Sequence, residues 1–129
     1  MIIFMIVMLS LSCIATPQKK DMIGTYVAQD YVNTIDTLRL MANGIYERKV
    51  YTKNKELALH THNEWDLGND GELVLHAFFF NLDRDLSKFP ELTSDSGYQM
   101  NIYPRKESGS WLICIEEGER KNCYKQIFF

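Results

Sequence analysis

Two histidines two residues apart, His60 and His62, are the nearest this chain comes to a metal-binding motif. On a β-strand, residues i and i+2 share a face, so both imidazoles could meet one ion. A third ligand would come from Glu64, which continues the row, or from His76 on the next strand. If Asn69-Asp70 form a two-residue turn, Asn63 lies opposite His76, and His76 falls on the other side of the sheet. A polar residue at every second place is also how a solvated strand face reads. The expectation is such a face, with no metal and no cofactor.

Other reactive groupings are weaker. Asp83-Arg84-Asp85 opens like a calcium loop, but the sixth place is Lys88 where glycine is required, and the twelfth is Ser94 where a bidentate glutamate is required. No G-x-S-x-G occurs, Ser108-Gly109-Ser110 reads as a hairpin turn, and no glycine-rich phosphate loop is present. No constellation meets the geometry that catalysis needs, so the expectation is a protein that is not an enzyme. The aromatics Tyr26, Tyr46, Trp65, Phe78 and Phe80 could line the interior of a barrel and hold a small apolar ligand, although core packing is their default role.

These residues sit on a chain of 129 residues, enough for one domain. A formal charge of -3 and the lack of a basic stripe argue against a nucleic-acid partner. From Gly24 onward, short segments rich in β-formers alternate with turn chemistry. Gly24–Ala28, Thr34–Met41, Ile45–Thr52, Leu57–Leu67 and Glu72–Phe80 read as strands, followed by Tyr98–Tyr103, Trp111–Glu116 and Asn122–Phe129. Asn43-Gly44 and Gly68-Asn69-Asp70-Gly71 separate neighbours. Leu82, Leu86 and Phe89 fall at i, i+4 and i+7, so a short helix ended by Pro90 is expected, with Asp83, Asp85 and Lys88 toward water. The fold class is all-β: an antiparallel meander of about eight strands, an up-and-down barrel or curved sheet with one short helix.

The first residues differ in kind. Met1 to Leu9 is an unbroken apolar run, and no charge appears before Lys19. The run is too short to span a membrane as a helix and suits a signal-peptide core. Leu9-Ser10-Leu11-Ser12-Cys13 resembles the lipobox of bacterial lipoproteins, with two departures: Ser10 stands where leucine is preferred, and no basic residue comes first. The resemblance implies a signal peptide over 1–12, a lipidated Cys13, a tether over 13–22 and a β domain over 23–129. Ordinary secretion, with cleavage at Cys13-Ile14-Ala15, is the alternative.

Cysteine counting agrees with the anchor. There are three cysteines, and if Cys13 carries lipid, Cys114 and Cys123 are left to pair. A two-residue type II′ turn at Gly118-Glu119 would set Glu117 opposite Arg120, Glu116 opposite Lys121, and Cys114 opposite Cys123 at a non-hydrogen-bonded site. A disulfide fits there.

Gly24-Thr25-Tyr26-Val27, Asp36-Thr37-Leu38-Arg39-Leu40, Asn43-Gly44-Ile45-Tyr46, Trp65, Phe78-Phe79-Phe80, Gly97-Tyr98, Leu112-Ile113-Cys114-Ile115 and Tyr124-Lys125 together resemble a group of uncharacterised bacterial lipoproteins. That resemblance implies a cell-envelope location and a β fold, and no activity. A looser similarity to lipocalin-like barrels concerns architecture alone. The expected function is a non-enzymatic lipoprotein, held to the membrane by its N-terminal lipid, that binds a small apolar ligand or an envelope protein. The alternative is a secreted or periplasmic inhibitor or accessory protein acting by surface contact.

Overall fold

The structure is a computed structural model and describes residues 16–84, 86, 99–117 and 120–128. It is all-β, as the alternation implies. Among the described residues, nine antiparallel strands form one curled half-barrel sheet: β1 (Gly24–Ala28), β2 (Thr34–Leu40), β3 (Ile45–Thr52), β4 (Leu57–Leu67), β5 (Leu73–His76), β6 (Gln99–Ile102), β7 (Arg105–Glu107), β8 (Ser110–Glu117) and β9 (Arg120–Ile127). Their order across the sheet is β6-β5-β4-β3-β2-β1-β9-β8-β7. The two edge strands, β6 and β7, are joined by Tyr103-Pro104 alone. So short a link spans only about 10 Å, so the sheet must curl until its edges approach.

Hairpin chemistry sets the registers. Gly68 N–H donates to Glu72 O and Gly71 N–H to Gly68 O, a three-residue loop in which Gly71 has φ +87°. This is a type I turn followed by a left-handed residue, the place where glycine costs least. A Cβ on Gly71 would also meet Thr16 and Pro17 at 3.1 Å. The β2–β3 turn repeats the device: Met41 N–H donates to Ile45 O, Gly44 N–H to Met41 O, and Gly44 has φ +81°. Each loop holds one residue more than a two-residue turn. In β4–β5 this shifts the pairing to Trp65↔Leu75, so the register expected from an Asn69-Asp70 turn is off by one.

Alternation decides what faces inward. In β2, Thr34, Asp36, Leu38 and Leu40 are buried, and in β3 so are Tyr46, Arg48 and Val50. The main core joins Met22, Tyr26, Leu38, Leu40, Tyr46 and Trp65 to β5, β8 and β9 side chains, while Val50, Leu59 and Leu86 form a smaller cluster.

Three segments depart from the strand pattern in the sequence. β7 is a ninth strand, paired with β8 through the Ser108-Gly109 turn. β5 ends at His76 rather than Phe80, because Ala77 adopts φ +52° and turns the chain out of the sheet. The helix expected over Leu82–Phe89 does not begin as one, since Leu82 and Asp83 both have positive φ, 52° and 60°. Leu82 and Leu86 do pack onto the two core clusters. Asp83 is not turned to water but accepts hydrogen bonds from the backbone N–H groups of Val32, Asn33 and Thr34, each at 2.9 Å. Asp85, Lys88 and Phe89 lie outside the described residues.

The described short helix is instead α1 (Lys19–Met22), in the stretch read as a tether. Four residues cannot hold a helix unaided. Burial of Met22 holds it, with Tyr26 Oη donating to Met22 O at 2.8 Å and Gln126 Nε2 to Asp21 O at 3.0 Å. Met22 thereby belongs to the main core.

Candidate functional site

Consecutive residues of β3, Glu47 and Arg48, face opposite sides of the sheet and organise two polar sites. Inside, Arg48 and Asp36 are 1% and 0% exposed. Arg48 Nε donates to Asp36 Oδ1 at 3.1 Å and Nη2 to Oδ2 at 2.7 Å, a two-point pair. Asn81 Nδ2 and Tyr124 Oη also donate to Oδ2. Arg48 Nη1 donates to Phe79 O, and the guanidinium lies 4.3 Å from the Phe78 ring centroid and 4.5 Å from that of Phe79. Burial drives the Tyr124 phenol well above its ordinary pKa, so it serves as a neutral donor. The arrangement reads as a hydrogen-bonded core network.

The five aromatics proposed from sequence as ligand-lining fall in one buried core cluster, in which Phe78 and Phe80 flank this network. Tyr26, Tyr46, Trp65, Phe78 and Phe80 are 0–8% exposed. Tyr46 meets Phe78 edge-on at 5.9 Å between centroids, Phe78 meets Phe80 at 5.3 Å, and Phe80 meets Tyr124 at 5.6 Å. Tyr46 Oη donates to His76 O, and Trp65 Nε1 to Met41 O at 2.9 Å. Burial raises the Tyr46 phenol to about 12. These rings are buried in one core cluster, and the tips of Tyr26, Tyr46 and Trp65 are spent on backbone carbonyls.

Outside, His60 and His62 both aim Nε2 at Glu47 Oε2, at 3.1 and 3.0 Å. The register explains why: Glu47 lies directly opposite His62, and His60 is its diagonal neighbour on the same face. The hydrogen bond from His60 is foremost in holding the Glu47 carboxyl below its usual pKa. The third group is thus Glu47 on the preceding strand, not Glu64 or His76. His76 shares the outer face after all, because the shifted register turns Leu75 inward with Trp65.

The cysteines meet as the hairpin register requires. Cys114 lies opposite Cys123 with Cα atoms 4.0 Å apart, and their sulfurs are bonded. Gln29 N–H donates to Cys123 O on the β1 side, so the backbone of Cys123 turns away from β8 and the pair is a non-hydrogen-bonded one. Glu116↔Lys121 and Glu117↔Arg120 are register partners, while the Gly118-Glu119 turn and the side chains of 116–121 lie outside the described residues. Cys13 and the expected signal peptide over 1–12 lie outside them too. Where β1 begins and β9 ends, an open groove of about 920 Å³ is lined by Ile23, Leu40, Met41, Ile127 and Phe128, with Arg39 as its charge.

Asp36, Arg48 and Glu47 were missed in the sequence. A signal for the first two was present: each has the parity of its strand's apolar residues, Leu38 and Leu40 for Asp36, Tyr46 and Val50 for Arg48. Glu47 required the β3–β4 register. No protein-family model, curated protein or solved structure matches the chain.

Proposed function

We propose that this protein is a non-enzymatic lipoprotein of the cell envelope, anchored through Cys13, that recognises a protein partner with its outer surface. The observation that carries the choice of partner is the burial of Tyr26, Tyr46, Trp65, Phe78 and Phe80 in one core cluster. Rings already covered by the protein's own side chains favour surface contact over an enclosed apolar ligand. Ile23, 38% exposed, and Phe128, 72% exposed, supply apolar surface beside the groove. The paired Cys114 and Cys123 suit an oxidising compartment, and the apolar run ending at Cys13 together with the resemblance to bacterial lipoproteins supports the anchor.

Two measurements test the reading. Labelled palmitate is expected to enter the chain in its host and to be lost in Cys13→Ser; an unlabelled wild type, released in the soluble fraction, overturns the anchor in favour of secretion. Solvent extraction of the purified protein, followed by mass spectrometry, is expected to release no stoichiometric apolar compound apart from the anchor acyl chains. One equivalent of such a compound would overturn the surface reading and restore the interior as a ligand site.

A further inference from the structure

The convergence of Glu47, His60 and His62 is more than a solvated face requires. Isolated polar side chains on a strand turn outward to water, whereas here both imidazoles turn sideways toward one carboxylate oxygen. The three donor atoms, two nitrogens and one oxygen, all lie within 4.8 Å of one another. Donor atoms around a tetrahedral zinc stand about 3.3 Å apart, given bonds of about 2.0–2.1 Å. The two Nε2 to Oε2 edges, 3.1 and 3.0 Å, are within a few tenths of an ångström of that value, and the third edge, between the imidazole nitrogens and within 4.8 Å, closes by rotation of the exposed rings.

The backbone supplies the preorganisation. His60 and His62 alternate onto one face of β4, and Glu47 is fixed opposite His62 in the middle of the β3–β4 ladder. We propose that this face binds one divalent transition-metal ion, with His60 Nε2, His62 Nε2 and a Glu47 carboxylate oxygen as protein ligands and water completing the shell. Two imidazoles with one carboxylate suit zinc, copper or nickel, and not magnesium or calcium, which take oxygen donors. Each imidazole offers its Nε2 lone pair once its proton sits at Nδ1, so the ion replaces the two hydrogen bonds to Glu47. His60 and His62 are 38% and 53% exposed, which leaves the ion's remaining positions open to water or to a ligand from another molecule. Lys49 is the resident competitor. Its Nζ stands 3.9 Å from Glu47 Oε1, and its exposed stem lets it swing away. This site stands apart from the anchoring and partner reading, and neither depends on the other.

The test is equilibrium dialysis of the full chain, free of any added histidine tag, against low-micromolar zinc chloride with excess magnesium. The wild type is expected to retain one zinc per chain, and the side-chain 15N signals of His60 and His62 are expected to shift at Nε2. His60→Ala, His62→Ala and Glu47→Gln should each weaken binding by more than about tenfold, as loss of a metal ligand does at the least. His76→Ala and Glu64→Gln should bind like the wild type, and Lys49→Gln should bind more tightly. Thermal melts of the zinc-free variants confirm that each is folded. Zinc retained equally by the wild type and by a folded His60→Ala/His62→Ala double variant would overturn the proposal. So would a wild type that retains none.

Discussion

Glu47 and Arg48 are neighbours in sequence, both charged, and each pairs with residues on an adjacent strand. Their energetics are opposite. Arg48 has left water completely, so its charge is tolerable only because Asp36, Phe79 O and two aromatic faces replace the lost hydration. Glu47 keeps contact with solvent, where an ion pair contributes little to stability. The inner pair is thus committed to the fold, and the outer cluster is free to meet something else. One peptide unit separates them, and the period of a β-strand is the whole cause.

The sharpest way to break this contrast is to remove one inner partner. Asp36→Ala strands a buried guanidinium and is expected to destabilise the fold by about 3–5 kcal/mol, read from the shift of a urea unfolding midpoint. A change below about 1 kcal/mol would mean that Arg48 finds water, and the inner site would then belong with the outer one.

Next comes the covalent tie on the outer side of the β8–β9 hairpin. Breaking it with Cys114→Ser/Cys123→Ser is expected to cost about 2–3 kcal/mol, the chain-entropy value for so short a loop. The same midpoint shift checks it, and unchanged stability of the wild type under reductant would contradict the bond.

A smaller effect is expected at Asp83, which ties the 77–84 segment to the chain between β1 and β2 and the start of β2 through three backbone N–H groups. Asp83→Ala should cost about 1–2 kcal/mol and speed amide exchange at Val32, Asn33 and Thr34. Protection that persists at all three amides would show that the loop is held by other means.

The outer cluster should give the least. His60→Ala and His62→Ala are each expected to change metal-free stability by no more than about 0.5 kcal/mol. Glu47 titrates below the ordinary glutamate value, chiefly through its hydrogen bond from His60. A carboxyl depressed in the folded state contributes stability above its unfolded pKa and loses that contribution as pH falls through the lower, folded value. His60→Ala should therefore raise the Glu47 pKa, followed by carboxyl 13C shifts, and flatten the acid limb of the stability curve. An unmoved pKa would mean that the imidazole contact is absent in solution.

Much of the fold follows from local rules. The alternation of Thr34–Leu40 and Ile45–Thr52, the Asn43-Gly44 turn and the Cys114↔Cys123 register could be read directly, because side-chain period and turn chemistry act over a few residues. Single-residue details were harder. Gly71 adds one residue to a loop, and that slip returned His76 to the outer face.

What the sequence determined by itself was an antiparallel all-β class and a hairpin poised for a disulfide, since strand alternation and hairpin register arise between neighbours along the chain. Only the tertiary structure decided that Ala77 turns Phe78 and Phe80 inward, that Met22 packs into the core, and that Asp36 meets Arg48, Asn81 and Tyr124. It alone set Glu47 beside two histidines from the next strand. The physical reason is separation: Asp36 and Tyr124 stand 88 residues apart, and nothing local to either announces a partner that only the closing of the sheet brings within reach.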